Sequence, residues 1–246
     1  MDLDPLLIAP LFLLAAGLYS SVGHGGASAY LAVMALLSFP AVTMRPTALV
    51  LNVVVSLLAT IRFHRAGHLQ WSMLWPFALA SVPFAFLGGM LHLPQKYFAW
   101  VVAAVLLYAA VRLIATPRNE ESEAGSRISV RVALLGGVVI GFVSGLIGVG
   151  GGIFLTPLLL LLGWGTPKTA AAVSAAFILL NSLAGLAGLW ASHVPDLCAH
   201  VSVFLLAVLL GGWMGTEYAL AHGSNTALRR ILAAVMAIAS VKLMLV

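Results

Sequence analysis

The chain has 246 residues, of which 62% are hydrophobic and only 8% charged, and its formal net charge is +5. A soluble domain keeps about a quarter of its residues charged to wet its surface, so this composition excludes a water-covered globule and demands an outer surface that faces lipid. The twelve basic residues form no cluster, which removes nucleic acid as the reason for the positive charge. The single cysteine, Cys198, allows neither an intramolecular disulfide nor a cysteine-held metal.

The first apolar segment, Pro5–Val22, follows Asp2 and Asp4 with no basic residue ahead of it. A secretory signal carries a positive leading region, so this segment is expected to stay as a membrane helix. Gly23-His24-Gly25-Gly26 interrupts it, and Ala27–Leu37 follows as a short arm. Thr47–Ile61, Ser72–Leu91 and Tyr97–Ile114 read as three further helices. The polar stretch 115–130, with Thr116-Pro117 and Glu120, Glu121 and Glu123, is the one internal boundary. Beyond it come Arg131–Ile147, a second break at Gly148-Val149-Gly150-Gly151, and a short arm Ile153–Leu162. Pro167–Ala191, Leu197–Ala221 and Ala227–Val246 complete the chain. Leu74–Leu91, Ala170–Leu189 and Leu197–Thr216 contain no Asp, Glu, Lys or Arg, and each is long enough for a bilayer core.

The order repeats. The two glycine-rich breaks correspond, Asn52 corresponds to Asn181, and Gly88-Gly89 corresponds to Gly211-Gly212. Residues 1–114 form one membrane repeat, 115–130 a cytoplasmic linker and 131–246 a second repeat. Cytoplasmic loops favour Lys and Arg. Placing Arg62, Arg65, Arg112, Arg118, Arg127, Arg131, Lys168, Arg229 and Arg230 inside leaves Arg45 and Lys96 in the opposite loops and Lys242 within the last helix. Both termini are then outside and the halves have opposite orientation. That parity requires each broken segment to return to its own side. Leu6–Leu37 as one straight helix would span ~48 Å against a ~30 Å core, whereas either short arm spans ~15 Å. The expected fold is all-α, with two inverted-topology repeats, each a broken or re-entrant hairpin plus three transmembrane helices. Trp71, Trp75, Trp100, Trp164 and Trp190 fall near segment ends, as an interfacial belt requires, while Trp213 is expected to pack inside.

Irregular backbone at membrane depth is tolerated only where protein or a water-filled cavity covers it. Each break exposes the N-terminus of a half-helix, at Gly25–Ser28 and Gly150–Phe154, whose free N–H groups and dipole favour an anion. Tight helix packing is the competing explanation, and Gly137, Gly141 and Gly145 at four-residue spacing suggest it. Two breaks in equivalent places favour the site.

The paired Gly-x-Gly-Gly breaks, the Pro40-Ala41-Val42 turn, the loop Arg62-Phe63-His64-Arg65-Ala66-Gly67-His68-Leu69-Gln70-Trp71, the run Gly163-Trp164-Gly165-Thr166-Pro167-Lys168-Thr169-Ala170 and Asn181-Ser182-Leu183-Ala184-Gly185 together resemble the sulfite exporter TauE/SafE family, also called toluene sulfonate uptake permeases. The resemblance covers nearly the whole chain. It implies movement of sulfur-containing or organic anions, such as sulfite or sulfonates, and no enzymatic turnover. Two positions depart from the pattern: His24 stands where a small residue or glycine is common, and Ala27 is the counterpart of Gly152.

The candidate substrate-binding residues are Gly23, His24, Gly25, Gly26, Ser28, Asn52, Ser56, Gly148, Gly150, Gly151 and Asn181. A histidine at membrane depth suits anion binding as imidazolium or a proton relay, and equally a neutral hydrogen bond to a loop carbonyl. Asn52, with Ser56 one turn on, and Asn181 are mid-helix amides that need a partner, either another helix or a ligand. Ser20 and Ser144 flank the breaks as weaker candidates. Glu217 pairs with Arg229 or Arg230 or sits among headgroups. His193, Asp196 and His200 read as a solvated loop rather than a metal site. No cofactor is expected. The expected partners are a small anion and the lipid bilayer, with oligomeric state undetermined. The expected function is a secondary transporter of the cytoplasmic membrane working by alternating access, with proton coupling assigned to His24. The alternatives are an anion channel with the same site and an intramembrane serine hydrolase built on Val143-Ser144-Gly145 and His24, which lacks a third orienting group.

Overall fold

The computed structural model describes residues 4–21, 25–115, 129–192, 194–222 and 226–245. They form ten helices: α1 (Pro5–Ser20), α2 (Ala27–Leu36), α3 (Ala41–Arg65), α4 (Trp71–Met90), α5 (Gln95–Ala115), α6 (Val130–Ile147), α7 (Gly152–Leu161), α8 (Pro167–Ser192), α9 (Val201–His222) and α10 (Thr226–Leu245). Helices α3, α4, α6, α8 and α9 are long and apolar enough to cross a bilayer. Helices α2 and α7 have ten residues each, ~15 Å of rise, and cannot cross a ~30 Å core. Both short arms are therefore half-helices. Val22, Gly23, His24, His193 and the acidic part of the 115–130 linker lie outside the described residues.

Local chemistry sets the ends. Asp4 caps α1, its carboxylate accepting from the Leu6 N–H at 2.9 Å, with Pro5 in the first turn. Thr166 opens α8 in the same way, its hydroxyl accepting from the Thr169 N–H at 3.2 Å, ahead of Pro167. Three helices close with a left-handed residue and a reversed pair of hydrogen bonds. At the end of α3 that residue is Gly67, with His68 N–H to Phe63 O; at the end of α7 it is Gly163, with Trp164 N–H to Leu159 O. Helix α2 closes likewise with Phe39 N–H to Met34 O, but its left-handed residue is Ser38.

Helix α3 begins six residues before the Thr47 start read from the sequence. Pro40 occupies its N-cap, and Pro46 lies in the second turn. A proline near a helix start removes few ladder bonds, so Ala41–Pro46, read as a loop, is helical. This carries Arg45 out of the loop and into the bundle, where it is 7% exposed. At the other end of the correction, Leu197–His200 precede α9 rather than forming its first turn.

The most extensive pairings are α4 with α6 and α1 with α9, followed by α4 with α8, α5 with α10 and α3 with α8. Small residues make the first two possible. Gly137, Gly141 and Gly145 of α6 lie on the carbonyls of Phe77, Ser81 and Ala85 of α4, and a Cβ at any of them would collide with backbone. Gly211 and Gly215 of α9 lie likewise on Leu13 and Gly17 of α1. Without a hydrophobic drive between helices in lipid, such close backbone approach holds the bundle through dispersion contacts. Gly137, Gly141 and Gly145 thus serve packing, the alternative weighed for them above.

Two larger apolar cores flank the centre, beside a smaller one of α3, α8 and α9 around Phe63. One joins α1, α2, α3, α5, α9 and α10, where Phe12 stacks on Phe204 with centroids 4.3 Å apart. The other joins α4, α7 and α8 around Phe77, which meets Phe177 edge-on at 6.3 Å. Trp164 lies between the ends of α7 and α8, as read, but is buried beside Phe77, whereas Trp213 is exposed on α9, not packed inside. The second placement reverses the expectation for Trp213. Trp71, Trp75, Trp100 and Trp190 are exposed, as an interfacial belt demands. Arg62 lies over the Trp213 ring at 5.8 Å and pairs with Glu217, so the partner of Glu217 is on α3.

Candidate functional site

The two broken hairpins meet. Gly25, before α2, and Gly150, before α7, both abut the Asn52 carboxamide of α3 and the Ile178 side chain of α8. A Cβ on Gly25 would strike Asn52 Oδ1, and one on Gly150 would strike Asn52 Nδ2. A single amide therefore bridges the two interruptions, its acceptor side toward the first and its donor side toward the second. Asn52 Nδ2 donates to Ser182 Oγ at 2.9 Å, while Oδ1 has no partner among the described residues.

Gly26 and Gly151 are the N-caps of α2 and α7. Both have positive φ, 103° and 86°, and neither helix has a side-chain cap. The first N–H groups of both half-helices are thus left without side-chain acceptors, in a region where every described residue of the breaks is buried. Two positive helix ends in low dielectric favour negative charge between them. The crevice there is lined by Tyr19, Gly25, Gly26, Ser28, Gly152 and Ile178. It is too narrow for a whole water molecule. The crevice is closed in this conformation.

Two tyrosines wall the first break. Tyr30 donates to Gly25 O at 3.2 Å, and Tyr19 donates to Met236 Sδ at 2.8 Å and hydrogen-bonds with Ser28. The second break has no phenol among the crevice residues. Gly151 instead abuts Ile140, Phe177 and Ser144.

The candidate residues divide accordingly. Gly25, Gly26 and Ser28 line the crevice, Gly150 and Asn52 form its bridge, and Gly151 caps α7. Gly148 ends α6 and faces Arg45 rather than the crevice. Ser56 donates to Asn52 O of its own helix at 2.6 Å. Asn181 is fully buried with neither amide atom partnered among the described residues, and it does not line the crevice. Gly23 and His24 lie outside the described residues. Tyr19, Tyr30, Ile178, Ser182 and Arg45 were missed. Tyr19 and Tyr30 had a usable signal, since they stand four residues before Gly23 and four after Gly26, one helical turn from the break on either side. Among the described residues no group of three metal-ligating side chains occurs.

A family model described as sulfite exporter TauE/SafE matches residues 8–243. Probable membrane transporter protein y4hK of Sinorhizobium fredii is 35% identical over 99% of this chain and 100% of its own length. Probable membrane transporter protein ORF9 of a Sinorhizobium species is 28% identical over 91% of this chain and 87% of its own. Probable membrane transporter protein YunE of Bacillus subtilis is 38% identical over 31% of this chain and 26% of its own. No solved structure matches. The chain belongs to the TauE/SafE family: it is a multi-pass membrane transporter and not an enzyme.

Proposed function

We propose that this member of the family is a secondary transporter that moves small sulfur-containing or organic anions, such as sulfite or sulfonates, across the cytoplasmic membrane by alternating access. The observation that carries the reading is the junction at Asn52, where two uncapped half-helix N-termini converge from opposite halves of the chain. An anion between them gains N–H donors and two helix dipoles without a buried cation. The family description, sulfite exporter, agrees with that charge preference.

The two halves are inverted repeats in this reading, with both termini outside. The packing supports it: α4 lies on α6 and α8, and α9 lies on α1 and α3, so each half's fourth helix rests on the other half's hairpin. Rocking of one half against the other would open the crevice to alternate sides. The closed crevice favours a carrier over an open pore.

The test is flux into proteoliposomes holding the full chain, over a panel of sulfite, aryl sulfonates and carboxylates, with and without a pH gradient. Saturable uptake with counterflow for at least one sulfur oxyanion is expected. Flux that stays proportional to concentration would make the protein a channel, and no flux of any anion would remove the reading.

A further inference from the structure

A second place in the bundle is built for negative charge. Arg45 sits in the second turn of α3 and is 7% exposed. Its guanidinium donates from Nη1 to Leu91 O at 2.9 Å, and from Nη2 to Gly88 O at 2.9 Å, Gly89 O at 2.7 Å and Gly145 O at 2.7 Å. These are carbonyls at the ends of α4 and α6. They satisfy hydrogen bonds and, as the C-terminal ends of two helices, offset part of the charge, but no carboxylate does: the one ion pair among the described residues is Arg62–Glu217. Nε is buried and has no partner among the described residues. A cation within a spanning helix, with no carboxylate beside it, marks a functional site before a structural one.

Arg45 lines a cavity of about 170 Å³, room for several waters. The first turn of α3, at Ala41 and Val42, lines it too. That turn has Pro40 as an N-cap without side-chain hydrogen bond; the Thr43 N–H is taken by Pro40 O at 3.0 Å, which leaves the N–H groups of Ala41 and Val42 without a cap acceptor. His92 and Val42 stand exposed at the rim, while Leu93, Phe98 and Leu189 supply an apolar wall. The cavity is separate from the Asn52 crevice and shares no lining residue with it. Arg45 nevertheless touches the second hairpin, since a Cβ at Gly148 would lie 3.1 Å from its Cγ.

We propose that this cavity is a second anion-binding site, at the mouth of the bundle, for a small sulfonate or carboxylate. The anionic group meets Arg45 and the start of α3, and the apolar part meets Leu93, Phe98 and Leu189. Its role as an entry station rests on the transport reading, but binding there does not.

The experiment is calorimetric titration of the detergent-solubilised full chain with sodium benzenesulfonate at low salt. Gly150→Ala fills the Asn52 junction and serves as the background. Benzenesulfonate binding is expected to survive in it. Adding His92→Glu, which puts a carboxylate at the cavity rim, is expected to weaken binding about tenfold or more, while His92→Gln holds it within about threefold. An unchanged thermal midpoint relative to the Gly150→Ala background is the check that either change at residue 92 leaves the fold intact. Arg45→Lys, which keeps the charge, should retain more affinity than Arg45→Met. Absence of binding in the Gly150→Ala background, or binding indifferent to His92→Glu, would overturn the second site. Benzenesulfonate binding without flux of any anion would remove the transport reading and leave this one standing.

Discussion

The two broken hairpins present the same feature, an uncapped half-helix N-terminus beside Asn52, but are built from different materials. The first break meets phenols: Tyr30 holds Gly25 O and Tyr19 reaches Ser28. The second is a glycine construction, with positive φ at Gly148, Gly150 and Gly151, and it leans on aliphatic and small side chains. Their long arms are fastened alike, by glycine against backbone, α6 on α4 and α1 on α9. What differs is therefore the wall around the shared junction. The first break is walled by phenols whose protons are already given to Gly25 O and Met236 Sδ, and the second by glycine backbone with the hydroxyls of Ser144 and Ser182 beside it.

The comparison breaks most severely at Gly150. Gly150→Ala adds a Cβ into Asn52 and Ser182 and also strains a left-handed residue, which costs about 1–2 kcal/mol by itself. Sulfite flux per mole of protein should fall about a hundredfold or more, near the limit of detection. Gly25→Ala meets the same amide without a positive φ, so its loss should be smaller, about tenfold. Equal losses would mean that backbone strain contributes nothing.

The two asparagines sharpen it next. Asn52→Leu removes the bridge and strands Ser182 Oγ, and should lower flux about tenfold with a fall in stability of about 1–3 kcal/mol. Asn181→Leu removes an amide that has no partner among the described residues, and should raise the thermal midpoint in detergent. A loss of flux in Asn181→Leu as large as in Asn52→Leu would instead make Asn181 a substrate ligand and the halves equivalent.

His24 belongs to the first break alone, because the corresponding second-half residue is Val149. If it relays a proton, His24→Gln flattens the pH profile of flux while leaving sulfite saturation in place. An unchanged profile ends that role. The smallest effect is expected from Glu217→Gln. The Arg62 and Glu217 side chains are 21% and 61% exposed, so the pair contributes about 1 kcal/mol or less, readable as a slight drop in thermal midpoint.

Much of this was legible because glycine leaves a strong mark in an apolar chain. The breaks, both short arms and the mid-helix Asn52 follow from where Gly and Asn interrupt runs of Leu, Ala and Val. Arg45 was not legible. Pro40 and Pro46 bracket it, and prolines with an arginine read as a loop, although a proline is tolerated in the first turns of a helix. Nor does a sequence say which face of α9 meets lipid, so Trp213 reads as packed inside although it is exposed. The partner of Asn52 was also hidden: the repeat matches Asn52 to Asn181 and leaves its partner as another helix or a ligand, and the hydrogen bond goes to Ser182, next to that counterpart. A correspondence between halves identifies equivalent residues, and equivalence does not imply contact.

Lys242 donates from Nζ to Leu36 O at 2.6 Å and to Ser38 Oγ at 2.8 Å, and Met236 takes the Tyr19 hydroxyl. Helix α10 thus holds both arms of the first hairpin, α1 through Tyr19 and α2 through Leu36 and Ser38, although nearly the whole chain lies between them. A tether of such sequence separation makes the resting position of the hairpin a property of the assembled bundle and not of its own residues.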